Sequence, residues 1–465
     1  MKRILLVTAN ARYTHSSLAL RYLRNALEAQ ASSFGLPIQV ELREYQINER
    51  RIDLARDMAR AEPDLIMISA YIWNAELFKA IIPDIKKLLP RAGIVAGGPE
   101  VAYDAAAWLG ALPELDLAVR GQAEGAAAAL AAARFELGAF PDSVLDAAPL
   151  AFASVPFPYR DEDFSALERR YIYYESSRGC PFRCAYCLSS RGDQKLDEKD
   201  AAAAGAELEL IAAREPALVK LVDRSFNARP ERARELWERL IRVGAGRPTR
   251  YHFELHPALL GDEDFRLLER APAGLFQFEL GVQTVHAATR AAIGRGGDWE
   301  REREAIRRLV ALGNAPVHLD LIAGLPGEGS AAMAASLEEL LALGAGHVQL
   351  GFLKGIPGTA LREGAAAFGA SFQASPPYEV LATDAISAAE LGALKGLEEL
   401  LDGLYNSGRF RDELAAAAAS LGGYYPALES LRAFALGRGF DLRTRDRIKL
   451  GALLGAWRGG ANIAS

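Results

Sequence analysis

The chain has three cysteines in 465 residues, and all three fall inside one short segment, Arg178-Gly-Cys-Pro-Phe-Arg-Cys-Ala-Tyr-Cys187. The spacing is C-x3-C-x2-C. Thiolates hold iron–sulfur clusters, and a cubane normally takes four of them to fill its four irons. With only Cys180, Cys184 and Cys187 available, one iron would stay open to a substrate or cofactor. Two other readings compete. A structural zinc site asks for four ligands, and no histidine or fourth cysteine lies nearby in sequence. Three unrelated buried thiols are the other reading. An odd, clustered set makes a poor disulfide framework and suits a reducing compartment.

Further along, Asp223 and Glu279 fall at predicted strand ends, where a carboxylate can accept hydrogen bonds from an ammonium group or from sugar hydroxyls. Gln283 offers an amide to the same kind of partner. Each could equally be a solvated group at a strand terminus. In Tyr251-His-Phe-Glu-Leu-His256 an extended strand places His252, Glu254 and His256 on one face. That face could bind a metal, supply acid and base groups, or form a hydrogen-bonded network inside a barrel.

These residues need a scaffold, and the apolar pattern predicts one. Ile4–Val7, Ile38–Leu42, Leu65–Ser69, Ile94–Ala96 and Leu115–Val119 read as strands separated by amphipathic helices such as Ser17–Ala29 and Ala75–Leu89. Continuous apolar strands alternating with helices predict a parallel sheet covered on both faces. This is an α/β doubly wound domain, Rossmann-like or flavodoxin-like, over 1–141. Its ligands would bind at the carboxyl ends of the strands. Residues 142–165 lack a period and read as a surface linker.

A second alternating series, Tyr171–Ser176, Val219–Val222, Tyr251–Leu255, Phe276–Leu280, Val317–Ile322 and His347–Leu353, predicts a partial (β/α)6 TIM-like barrel over 166–365. Barrels place their chemistry on the loops after the strands. After Gly358 the strand signals stop, and 366–465 reads as a helical region.

The net charge of −6 argues against a dedicated nucleic-acid binder. No run approaches the eighteen apolar residues of a membrane span. The start, MKRILLVTAN, reads as a first buried strand and not a signal peptide, so a cytoplasmic location is expected.

The cysteine loop, with Tyr186 directly before its last cysteine, resembles the cluster motif of the radical S-adenosylmethionine superfamily. Leu221-Val-Asp-Arg-Ser-Phe-Asn227 resembles the segment whose acidic residue helps hold the methionine part of the cofactor, and Phe278-Glu-Leu-Gly-Val-Gln-Thr284 the one that contacts the ribose. Asp320-Leu-Ile-Ala-Gly-Leu-Pro-Gly-Glu328 and Leu353-Lys-Gly-Ile-Pro-Gly-Thr359 resemble later barrel segments. The resemblance implies a 4Fe-4S cluster on the three cysteines and S-adenosyl-L-methionine bound near Tyr186, Asp223, Glu279 and Gln283. It also makes Glu254 a site-lining, catalytic residue and implies an external electron donor of the flavodoxin or ferredoxin type.

Doubly wound domains ahead of this barrel usually bind cobalamin, and this one resembles that group. Val7-Thr-Ala-Asn-Ala-Arg-Tyr-Thr-His15, Ser69-Ala-Tyr-Ile-Trp-Asn74 and Ala96-Gly-Gly-Pro-Glu100 resemble its strand-end loops, which implies cofactor contacts by Asn10, His15, Tyr71, Gly97, Gly98 and Glu100. The chain departs from cobalt-coordinating relatives in lacking the Asp and Gly of D-x-H-x-x-G around His15. Gly121-Gln-Ala-Glu124 replaces a G-E-G-E run. His15 could ligate cobalt, cap the next helix or touch the corrin edge.

The implied activity is cobalamin-dependent methylation of an unactivated carbon in a small-molecule or natural-product substrate, with a radical rearrangement as the alternative in the same class. A radical modifier of RNA or protein without cobalamin and a non-catalytic cobalamin or redox sensor are the readings from other classes. A methylthio-transfer enzyme would need a second cluster, and no cysteines remain for it.

Overall fold

The computed structural model describes residues 1–191 and 195–461. The first part contains β1 (Lys2–Asn10), β2 (Ile38–Gln46), β3 (Leu65–Ser69), β4 (Gly93–Gly97), β5 (Leu117–Arg120) and β6 (Val144–Asp146). All pair in parallel, in the order β2-β1-β3-β4-β5-β6. Alternate side chains of β1 explain why both faces are covered. Leu5 and Val7 pack with Met58, Phe78 and Ile81 of the helices Arg51–Arg60 and Ala75–Leu88. Ile4 and Leu6 pack with Leu23, Leu27 and Leu130 of the helices Leu18–Ser33 and Ala123–Ala132. Each such aliphatic side chain contributes roughly 1.5–3 kcal/mol by leaving water.

Residues 142–165 depart from the expected surface linker. Val144–Asp146 extends the sheet and Phe152 is fully buried. A three-residue strand is too short to display a period, so nothing in its composition announces it.

The second part begins with β7 (Ile172–Tyr174). A short antiparallel clip of β8 (Ser177–Arg178) with β9 (Asp197–Glu198) follows, so the expected strand Tyr171–Ser176 is cut short. Next come β10 (Leu218–Leu221), β11 (Arg250–Leu255), β12 (Phe276–Gln283), β13 (Val317–Ala323) and β14 (His347–Phe352). The parallel order is β7-β10-β11-β12-β13-β14, with β7 and β14 at its two edges, which is an open, six-stranded partial barrel.

Apolar and polar residues largely alternate along the strands. Tyr251, Phe253, Phe276, Phe278, Leu319 and Leu321 share one core with Trp237 of the helix Pro230–Gly244. The opposite face carries Lys220, His252, Glu254, Gln277, Glu279, His318, Asp320 and His347. A barrel interior made of such groups is not a closed apolar core. It is built to receive a polar ligand.

Beyond β14, the expected end of strand structure is corrected by a small hairpin, β15 (Ser371–Phe372) with β16 (Val380–Ala382). Helices Ala388–Leu400, Arg411–Leu421, Tyr424–Gly437 and Arg447–Ala461 follow, and Leu394, Leu397 and Leu428 join the barrel core. The last residues assigned to this helical region, 462–465, lie outside the described residues. Among those described, no helix is long and apolar enough to cross a membrane.

Candidate active site

The cysteine loop leaves β8 through Gly179 at φ +79°, where any side chain would run into the carbonyl of Lys195, just before β9. Its middle is tied down on both sides. Ala185 N–H donates to the Ile293 carbonyl at 2.8 Å, and Leu361 N–H donates to the Ala185 carbonyl at 2.9 Å. Cys187 N–H closes a turn onto the Cys184 carbonyl at 3.1 Å, and Arg183 donates to the Arg191 carbonyl at 2.9 Å. The loop is therefore shaped by bonds that do not involve the thiols.

Cys180 and Cys184 are buried and Cys187 is half-buried, and none is in a disulfide. Cys180 Sγ lies 3.8 Å from Ser225 Oγ. Burial pushes the Cys180 thiol up, and the nearby sulfurs of Cys187 and Cys184 add to the effect. Among the described residues no three His, Cys, Asp or Glu side chains converge as ligands of a single ion would. A cubane asks for something different, one thiolate on each of three irons, so its ligands need not meet at a point. Three clustered thiols with no fourth fit that donor set.

The loop is held from below by Arg178. Its guanidinium donates to Glu175 at 2.5 Å, to Glu124 at 2.7 Å and to Gln122 at 2.7 Å, over the rings of Tyr22 and Phe152. Gln122 is the N-cap and Glu124 lies in the first turn of the helix Ala123–Ala132 that follows β5, so this arginine fastens the doubly wound sheet to the start of the cysteine segment.

Asp223 does not face a ligand as expected. Its carboxylate is fully buried and accepts from Ser176 N–H at 3.0 Å, Ser176 Oγ at 2.6 Å and Ser177 Oγ at 2.6 Å. Three bonds from the turn and strand that launch the cysteine loop commit most of its acceptor positions to structure. Arg224, the next residue, faces the site instead, 3.8 Å from Glu254. Burial pushes the Glu254 carboxyl up to about 7, with Arg224 and Lys220 opposing and Glu279 and Asp223 assisting.

Glu279 accepts from His252 at 3.1 Å, which holds its carboxyl below the ordinary range. Asp320 lies beside Glu279 and is pushed well up, first by burial and then by the Glu279 and Glu254 charges. The two neighbouring carboxyls are thus pushed in opposite directions. Gln283 adopts φ +71° at a break in the β12–β13 register, and its buried Oε1 has no hydrogen-bond partner. A strained residue holding an orphaned buried acceptor fits a ligand that supplies the donor. Tyr186 is half-buried beside the Cys184 and Cys187 sulfurs, and burial pushes its phenol up.

His256 leaves the shared face, because β11 ends at Leu255. Its ring stacks on Phe182 of the cysteine loop with centroids 4.1 Å apart. Both ring nitrogens are buried without partners, and burial drops its pKa to about 3, with Arg295 and Arg290 adding to the fall.

In the first sheet the topological switch lies between β2-β1 and β3, where open α/β sheets bind ligands. His15, in the loop after β1, bonds through Nδ1 to the Tyr173 hydroxyl of the barrel at 2.5 Å and stacks on that ring. Burial lowers its pKa, with Lys220 and Arg12 contributing. Asn10 is spent internally, donating to Glu44 at 2.8 Å and to the His15 carbonyl at 3.1 Å. Tyr71 stacks on Trp73 at 4.5 Å, nearly parallel, and Trp73 is 46% exposed, a flat aromatic surface at the mouth of the sheet.

Gly97 meets nothing closer than Val119, whereas a side chain on Gly98 would approach the Ala70 carbonyl to 2.5 Å. Gly98 is thus required by its neighbouring loop. The Glu100 carboxylate is buried and accepts from the Tyr378 hydroxyl.

The structure brings Cys180, Cys184, Cys187, Tyr186, Glu254, Glu279 and Gln283 to one mouth of the barrel. His15 and Tyr71 approach it from the first sheet, and Asp223, Asn10 and Glu100 are turned to internal bonds. Arg178, Arg224 and Asp320 were not singled out from the sequence. Each stands inside a recognised segment, and a charged residue beside a motif position was the available signal.

The chain matches the family model described as the B12 binding domain over residues 4–131. It matches the radical SAM superfamily over 174–340 and a protein family of unknown function over 366–424. It is 25% identical to 2-(S-pantetheinyl)-carbapenam-3-carboxylate methyltransferase of Streptantibioticus cattleyicolor over 309 residues, 60% of this chain and 45% of that one. It is 24% identical to the cobalamin-dependent radical SAM methyltransferase TokK of Streptomyces tokunonensis over 306 residues, 57% of this chain and 43% of that one. The chain thus spans less than half the length of these curated relatives. The solved structure of the radical S-adenosylmethionine methyltransferase TsrM from Kitasatospora setae shares the fold, with a TM-score of 0.64 at 17% identity, over 81% of this chain and 80% of that one.

Proposed function

The chain belongs to the radical S-adenosylmethionine superfamily, in the subgroup that carries a B12 binding domain, and from that premise we propose that it is a cobalamin-dependent methyltransferase acting on an unactivated carbon of a small molecule. The observation that carries the proposal is the meeting of the two sites. The switch-point loop of the first sheet reaches the barrel through His15 and Tyr173, 2.5 Å apart, beside the mouth that holds the three-cysteine loop. Two cofactors bound at these places would act on one substrate between them.

Cys180, Cys184 and Cys187 hold the cluster, and the His15 and Tyr71–Trp73 loops bear the corrinoid. When bound, these groups supply an electron to S-adenosylmethionine and a transferable methyl group, the reducing equivalents coming from an external flavodoxin-type or ferredoxin-type donor. The chain's own part is positional. Arg178 fixes the base of the loop, Ala185 its middle, and Gln283 presents an unpaired carbonyl to a ligand donor. With Nδ1 of His15 occupied by Tyr173, that nitrogen serves to orient the loop, in keeping with the missing D-x-H-x-x-G motif. The Glu279 and Asp320 carboxyls, side by side in the barrel interior with opposite pKa shifts, suit a substrate with polar groups.

The test is retention of hydroxocobalamin by the anaerobically reconstituted protein through gel filtration, followed by S-adenosylmethionine cleavage after reduction. Equimolar corrinoid and cleavage products are expected. A colourless protein that still cleaves S-adenosylmethionine would overturn the methyltransferase reading, leaving a radical enzyme of another kind.

A further inference from the structure

The proposed function leaves the C-terminal segment 366–424 without a part, yet its hairpin is built into the mouth of the barrel. Val380 N–H donates to the Leu353 carbonyl at 2.8 Å, and Gly355 N–H donates to the Tyr378 carbonyl at 2.9 Å. Leu353 and Gly355 both follow β14. The Val380 side chain lies over Gly324, just after β13, where an added Cβ would come within 2.7 Å of it. The hairpin is thus fixed at the carboxyl ends of the strands, the face that carries barrel chemistry.

From that base Tyr378 reaches the first domain. Its hydroxyl donates to the Glu100 carboxylate, and both side chains are buried. Tyr378 takes φ +56°, a region that bulky residues rarely enter, so the turn is held in a costly form that places this ring. Glu100 passes the constraint on. Its N–H donates to the Ala70 carbonyl at 3.4 Å, and Ala70 N–H donates to the Gly97 carbonyl at 2.8 Å. The loops after β3 and β4 are therefore tied to each other beside the Tyr71–Trp73 surface. The short helix Pro99–Ala102 that carries Glu100 is also held from the barrel side. Its C-cap Tyr103 packs on Gly358, where an added Cβ would come within 2.7 Å of the ring, and Arg191 covers that ring while donating to the Gly358 carbonyl.

We propose that the C-terminal hairpin braces the corrinoid site, with Tyr378 as a positioning residue that acts through Glu100 to hold the loops after β3 and β4 in the form that receives the corrinoid. This inference rests on the proposed function and deepens it. Burial raises the Glu100 carboxyl, and the bond from Tyr378 opposes the rise. Without the phenol the carboxyl stays buried with no donor or turns to water, and the second course pulls on Ala70 through the Glu100 backbone. If the bond only attached the hairpin, its loss would loosen the barrel mouth as much as the first domain.

The experiment uses the anaerobically reconstituted full chain with Tyr378→Phe, Glu100→Gln, Glu100→Ala and the double variant Tyr378→Phe/Glu100→Ala. Hydroxocobalamin is the probe, and its Kd is read by equilibrium dialysis from the visible spectrum. On corrinoid-free samples, the change that S-adenosylmethionine makes in the electron paramagnetic resonance spectrum of the reduced cluster reports on the barrel mouth.

Tyr378→Phe and Glu100→Ala should each weaken hydroxocobalamin by about 10-fold, the effect of one hydrogen bond to a charged partner. The double variant should lose no more than either single one, since all three remove the same bond. Glu100→Gln, whose amide oxygen still accepts from the phenol, should lose less than Glu100→Ala, and the response to S-adenosylmethionine should persist throughout. Affinity within about twofold of wild type in both Tyr378→Phe and Glu100→Ala overturns the brace while the proposed function stands. Loss of the S-adenosylmethionine response together with the corrinoid in Tyr378→Phe also overturns it, by showing attachment alone. Should Tyr378→Phe not fold, Glu100→Gln binding tighter than Glu100→Ala supports the brace and equal binding overturns it. A wild-type chain that does not retain hydroxocobalamin refutes the proposed function itself.

Discussion

Asp223→Ala separates a structural carboxylate from a ligand-binding one. The wild-type side chain is fully buried and receives three bonds of 3.0, 2.6 and 2.6 Å from Ser176 and Ser177. Hydrogen bonds to a charged partner are worth about 1.5–3 kcal/mol each, and donors left buried without an acceptor add their own desolvation cost. The three bonds share one carboxylate and are not additive, so the net loss is about 3–5 kcal/mol. In a domain of this size each kcal/mol moves the melting temperature by about 2–4 °C, which gives a fall on the order of 10 °C. The assay is thermal unfolding of the cluster-free protein, followed by tryptophan fluorescence, where no cofactor contributes. A change below about 2 °C together with lost S-adenosylmethionine binding would refute the reasoning and return Asp223 to the ligand.

Glu254 gives a pH prediction. Its folded-state pKa of about 7 lies above the ordinary carboxyl value, so the folded chain holds a proton the unfolded chain releases. Stability from this group is complete below the ordinary carboxyl pKa and is lost as pH climbs to about 7. Glu254→Gln should flatten that decline in a pH series of urea midpoints. Glu124→Ala leaves Arg178 with Glu175 as its remaining acid, and a loss of about 1.5–3 kcal/mol in the urea stability of the cluster-free protein is expected. Gln283→Gly relieves a positive φ and removes an orphaned buried oxygen, so the cluster-free protein should gain about 1 kcal/mol by the same assay. The same substitution should weaken S-adenosylmethionine binding.

Much of the architecture was legible because its signals are long. β1 is buried from Ile4 to Asn10, and β12 and β13 alternate without a fault, so period and length agree. What escaped was short or relational. β6, β15 and β16 are two or three residues long and take their state from the strands beside them. The end of β11 at Leu255 turned His256 away from His252, a boundary no alternation reveals.

In the site, the three cysteines were legible from their type and spacing alone. Asp223 was assigned from its place in a motif, yet its partners Ser176 and Ser177 lie nearly fifty positions away, and their claim on it exists only in the folded chain. Arg224 was hidden for the same reason, since nothing in its neighbours says which way it points.

Iron and sulfide analysis with Mössbauer spectroscopy of the anaerobically reconstituted chain tests the central claim most directly. The account predicts about four irons and four sulfides per chain, lost in Cys184→Ala, with one iron of the four changing its spectrum when S-adenosylmethionine is added. A single tetrahedral metal ion per chain, or a cluster whose irons all ignore S-adenosylmethionine, would contradict it.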